Sequence, residues 1–152
     1  MIVHRIDTQA DLDPVEVKQG VKMLEKILEP MPQVECPVIN VFAEGIYSRQ
    51  CFNPKGTFII GKEQKFGCLV VLLSGQVRIF DANGVREVTA PAVFPSEPGA
   101  KRCVYAVEDS IFMTVHANPE NETDLDKIED RLIVRESLNM EDQNALSLRE
   151  AS

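Results

Sequence analysis

The sequence predicts a mainly β protein, a sandwich or closed barrel with one helix before it and a helix plus tail after it. Three observations lead there. Nine short apolar or alternating segments follow one another between Val38 and His116, punctuated by Gly, Pro, Asn and Asp at near-regular intervals. No helical pattern interrupts them, and many strands at short spacing without crossover helices argue for sheets that close on each other. Amphipathic stretches flank this region on both sides.

The first flank is "DPVEVKQGVKMLEKILEP". Val17, Val21, Leu24 and Leu28 recur at spacings of four, three and four, one face of an α-helix. Asp13 is a good N-cap, Pro14 suits the first helical position and Glu16 stands where a capping box wants its acid. Pro30 and Pro32 end the element. The stripe is expected to pack on a sheet, with partner binding as the alternative.

The middle segments are "VINVF", "IYSRQCF", "GTFII", "CLVVLL", "QVRIFD", "REVTA", "AVFPS", "KRCVYAV" and "SIFMTVH". "DANG" marks a hairpin, because Asn83-Gly84 accepts the positive φ that tight turns require. Alternation places Val70, Leu72, Val77 and Ile79 on the core side.

The last quarter changes character. From Asn118 onward ten acidic residues stand against four basic ones, so most of the chain's net charge of −8 lies there. "ETDLDKIEDRLIVRESL" reads as a helix with Thr123 as its cap and Leu125, Ile128 and Leu132 on its apolar side. Those three residues are the candidate partner-binding anchors, with closure of the protein's own barrel as the alternative. Beyond Asn139 the composition is that of a tail. The chain thus divides into 1–37 (arm and helix), 38–116 (barrel) and 117–152 (acidic helix and tail), one globular domain overall.

Composition narrows the function. The 152 residues suit one core of ordinary size, with 44% hydrophobic and 26% charged residues. The acidic balance argues against nucleic acid or an anionic membrane as partner. The longest apolar run, Cys68 to Leu73, is far too short to span a bilayer, and "MIVHRIDTQADLDP" lacks the apolar stretch of a secretory signal. Cys36, Cys51, Cys68 and Cys103 stand widely apart, without a C-x-x-C pair, and are expected to be free thiols.

The middle region resembles a cupin, a double-stranded β-helix of the jelly-roll kind. "CLVVLLSGQVRIFDANG" is similar to the first cupin motif, whose hairpin follows a metal-binding strand, and "APAVFPSEPGAKRCVYAVEDS" to the second, in which a Pro-Gly turn leads into the strand with the last ligand. The order PQVECPV, GIYSR, GTFIIGK, LLSG, APAVF, EPGAKR, YAVEDS and ETDLDKIED resembles a group of small cupin-like proteins of tailed bacteriophages. That resemblance implies a virion or assembly protein, made in the bacterial host cytoplasm and acting with other virion proteins.

The departures from the cupin pattern carry the functional reading. A metal-binding cupin needs about three histidines and a glutamate converging in the barrel. Where the first motif should supply them, Lys62 to Cys68 are Lys, Glu, Gln, Lys, Phe, Gly and Cys; the second motif's histidine position falls on Arg102, with Val107 as the other choice. The chain has only two histidines, His4 and His116. Glu63, Gln64 and Cys68, with His116, would make a poor metal site. Lys101 and Arg102 after the "EPG" turn suit an anionic sugar or carboxylate, with a solvated hairpin or inter-subunit salt bridge as the alternative. No nucleophile elbow, phosphate loop or H-E-x-x-H motif occurs. The expectation is a non-enzymatic, metal-free barrel without cofactor, homo-oligomeric and structural. The alternative is a cytoplasmic cupin-type enzyme or small-ligand binder whose unusual pocket uses Glu63, Gln64, Cys68 and Arg102.

Overall fold

In the computed structural model, residues 14–135 are described. The expected cap Asp13, the segment 1–12 as cover for a neighbouring sheet edge, and the tail beyond Asn139 lie outside them. Helix α1 (Pro14–Leu28) starts with proline in its first turn and stops two residues before Pro30. Val21 on its apolar stripe is buried, and Val17, Leu24 and Leu28 are half-buried.

Nine strands follow: β1 (Val38–Ala43), β2 (Ile46–Asn53), β3 (Phe58–Ile60), β4 (Cys68–Ser74), β5 (Gln76–Asp81), β6 (Gly84–Thr89), β7 (Ala92–Ser96), β8 (Cys103–Ala106) and β9 (Ser110–Ala117). All pairings are antiparallel. One sheet has the order β1-β2-β9-β4-β7 and the other β3-β8-β5-β6. Val70 and Leu72 of β4 and Val77 and Ile79 of β5 are all fully buried between the sheets, on the expected parity. Leu72, Val77, Ile79 and Val104 form the centre of the core, with Ile59, Phe94 and Phe112 packed around it.

Gly75 makes the corner at which the chain leaves one sheet for the other. It has φ +84°, and a Cβ there would lie 2.3 Å from the Asp109 carbonyl oxygen. Only glycine fits. The β5–β6 turn differs from the expectation in detail: Gly84 alone takes positive φ, at 105°. Asn83 does not need it, because its backbone N–H donates to Asp81 Oδ1 at 3.0 Å and holds the turn.

The second helix, α2 (Leu125–Leu132), is capped by Asp124 rather than Thr123. Asp124 accepts from the backbone N–H groups of Asp126 and Lys127, and the helix therefore begins one residue later than Thr123 would allow. Ile128 and Leu132 are 3% and 5% exposed, packed with Tyr47 of β2. That placement corrects the anchor assignment for these two residues. Their side chains are spent on closing the protein's own barrel, and only Leu125, 47% exposed, remains at the surface. The chain after α2 is laced to the β3–β4 loop. Lys65 N–H donates to the Leu132 carbonyl at 2.7 Å and Val134 N–H to the Glu63 carbonyl at 2.9 Å.

The two faces of the larger sheet differ from ordinary practice. Strand register puts Ile39, Val41, Ile46, Leu69, Leu73 and Val93 on the outer side, each at least 45% exposed. No outward position of β1, β2, β9, β4 or β7 carries a charge, in a chain with 26% charged residues. A strand such as "CLVVLL", apolar on both faces, belongs to a sheet buried on both faces. Among the described residues α1 contacts the other sheet, through β5, and α2 sits at the mouth.

Candidate functional site

The space between the sheets is not filled to its end. A part-open cavity of about 620 Å³ runs between the sheets to the α2 end, with Ile128 and Leu132 of α2 forming part of its wall. β2 contributes Tyr47, Arg49, Cys51 and Asn53, alternate residues that a pleated strand must turn to one side. β9 contributes Phe112, Thr114 and His116 by the same rule, and Arg102 enters just before β8.

The polar groups in this cavity are incompletely matched. Asn53 Oδ1, Gln64 Oε1, Arg102 Nε and His116 Nδ1 are buried without a hydrogen-bond partner among the described residues. All four line the cavity. Arg102 donates from Nη2 to Ser96 Oγ. The nearby carboxylate of Asp81 is taken by Arg86, and among the described residues no acid pairs with Arg102. Burial pulls the Arg102 pKa below its ordinary value, with the other charges nearby acting in both directions. His116 stacks on Tyr47 with ring centroids 5.8 Å apart, and its Nε2 lies 2.9 Å from Thr114 Oγ1. Burial, with Arg131 and Arg49 adding repulsion, lowers its pKa to about 4, so the ring is neutral near pH 7.

Three of the four pocket candidates therefore share one cavity: Gln64, Cys68 and Arg102. Glu63 does not. Adjacent residues point opposite ways, and its carboxylate lies 2.8 Å from Lys18 Nζ and 4.0 Å from Lys22 Nζ of α1. Lys101 is also outside the cavity lining. It is 5% exposed and pairs with Glu25 of α1 at 2.7 Å, so it is not on a solvated hairpin. Arg49 and Asn53 were missed by sequence reasoning. The signal that would have found them is the i, i+2 run Tyr47, Arg49, Cys51, Asn53, which shares the parity of the core.

A divalent metal does not fit these residues. Among the described residues no three His, Cys, Asp or Glu side chains converge as a metal site would require. The position where the second motif's last ligand would stand holds a guanidinium, which repels a cation. The Cys68 thiol is held above its usual pKa by burial, with Arg102 and Ser96 pulling the other way. All four cysteines are free.

No protein-family model matches the chain, and no curated protein matches it in sequence. Solved structures do match in fold. An uncharacterised protein with a double-stranded β-helix domain from Klebsiella pneumoniae superposes with a TM-score of 0.50 at 18% identity, over 60% of this chain and 84% of that one. An oxalate decarboxylase from Lactobacillus farciminis, in a formate complex, matches with a TM-score of 0.51 at 15% identity, over 67% of this chain and 32% of that one. The fold is thus cupin-like: a mainly β jelly-roll barrel with a helix at each end. Likeness at this level reaches the fold alone, because one barrel carries many chemistries.

Proposed function

We propose that the chain is a non-enzymatic structural component of a tailed-phage particle, in which the metal-free barrel serves as a rigid assembly module. The observation that carries this reading is the uncharged apolar outer face of the five-stranded sheet. Five strands about 4.8 Å apart and about six residues long give a footprint of roughly 500 Å² before side-chain relief is counted. Relief brings it near the ~800 Å² per partner of a stable interface.

The occupant proposed for this face is a second copy of the chain. A strongly charged partner would be met by complementary charge, and the face has none. Two copies with a net charge of −8 each can meet here without bringing like charges together. The phage assignment is supported by the resemblance in motif order and by the acidic C-terminal segment, which suits contact with a basic surface on other virion proteins.

Light scattering at tens of micromolar tests the homo-oligomer. The expected result is at least a dimer, which a Val41→Lys, Leu69→Lys double substitution converts to a folded monomer. A wild-type monomer overturns the self-association. Mass spectrometry of purified phage particles tests the location: the chain should be present, and deletion of residues 139–152 should remove it from particles without unfolding the barrel. Absence of the intact chain from particles defeats the virion role.

A further inference from the structure

The misfit between the barrel interior and a metal ion is itself informative. Where a cupin-type metal centre would concentrate positive charge on an ion, this chain places fixed positive charge on side chains. Arg102 lies in the wall with Nε unmatched, and Arg49 stands exposed at the rim of the same cavity. Neither has an ion-pair partner among the described residues. The acids nearby are already engaged: Asp81 holds Arg86, and Glu129 pairs with Lys62.

We propose that this cavity binds a small polyhydroxy carboxylate, a sugar acid or hydroxy acid, with its carboxylate on Arg102 and its hydroxyls on Gln64 and His116. The chemistry follows from what each group lacks. A buried guanidinium edge without an acid is matched best by a planar carboxylate. The unmatched amide oxygen of Gln64 is met by a hydroxyl, which donates and accepts and so suits either orientation of an amide. A neutral imidazole with Nδ1 free takes a second hydroxyl in the same way. Phe112 and Val104 give the wall an apolar stretch that suits the carbon face of a sugar ring. A volume of about 620 Å³ exceeds what one such molecule needs and falls within the range of small-ligand sites. The inference is independent of the assembly role, since the uncharged sheet face and the cavity lie on opposite sides of the same strands.

Isothermal titration of the full-length protein with gluconate and with galacturonate tests the site. Glucose serves as the uncharged control and acetate as the carboxylate without hydroxyls. Saturable binding of at least one sugar acid is expected, tighter than glucose or acetate. Arg102→Gln should weaken it about 10- to 100-fold. Because that variant alters a half-buried residue, Arg49→Gln is the second test; it keeps the fold and should weaken binding several-fold through lost charge. No saturable heat with either acid up to about 10 mM overturns the proposal. So does equal binding of glucose, or unchanged affinity in both variants when both are folded.

Discussion

Arg86 grips Asp81 with two hydrogen bonds inside the barrel, Nη1 to Oδ1 at 2.8 Å and Nη2 to Oδ2 at 3.2 Å. The same guanidinium lies over the Phe94 ring, 5.3 Å from its centroid. Asp81 is 7% exposed and also accepts from Asn83 N–H, so one carboxylate serves both a turn and an ion pair.

Removing one partner should therefore be costly. Asp81→Ala leaves Arg86 uncompensated and frees the turn, and about 2–3 kcal/mol of stability should be lost. Arg86 is partly exposed, so the cost lies at the low end of the range for buried pairs. Urea unfolding checks it. A loss under ~0.5 kcal/mol would mean that the pair is screened by solvent.

His116 gives the protein a pH dependence with a defined sign. The unfolded imidazole takes a proton below about pH 6.5, whereas the folded one resists until about pH 4. Between these values the unfolded state binds more protons, so stability falls as pH drops through that window and levels off below it. The contribution reaches up to about 3 kcal/mol. His116→Gln should lose stability less steeply than wild type between pH 7 and pH 4.5, and parallel curves would contradict the assignment.

Two glycines with positive φ separate strain from collision. At Gly75 a methyl group would meet Asp109 and Ser110 backbone atoms at 2.3 and 2.8 Å. At Gly84 nothing lies within 4 Å. Gly75→Ala should cost at least about 2 kcal/mol and Gly84→Ala about 1 kcal/mol. Equal melting temperatures for the two variants would argue against the corner at Gly75.

Neighbouring leucines in β4 should behave differently. Leu72→Ala empties part of the central cluster and should cost about 2–4 kcal/mol. Leu69 is 49% exposed on the outer face, so Leu69→Ala should change monomer stability by under ~1 kcal/mol while weakening self-association. The reverse order would invert the strand register.

Elemental analysis of purified protein should find no stoichiometric transition metal. A metal lost on replacing Cys68 or Glu63 would contradict the account of the cavity.

Strands were legible in the sequence because turn residues interrupt apolar runs at short intervals, and Val70, Leu72, Val77 and Ile79 could be assigned inward by parity alone. The destination of α2 was not legible. An amphipathic stripe states that one face must be covered, but Ile128 and Leu132 look the same whether Tyr47 or another chain covers them. The cavity is half legible: Gln64, Cys68 and Arg102 follow from motif positions and His116 is named beside them, whereas the Tyr47–His116 stack exists only because β2 pairs with β9 across more than fifty residues. Glu63 was misassigned because motif spacing does not say which of two adjacent residues turns inward.

The uncharged outer sheet face has a thermodynamic consequence. Covering a surface with no ionised groups releases ordered water with little heat near room temperature and a negative heat-capacity change. Contact through this face is therefore entropy-driven and loosens on cooling. Added salt does not break it, because there are no ion pairs to screen, and it softens the long-range repulsion between two acidic bodies. Cold, dilute, low-salt buffer should separate copies that warm saline keeps together.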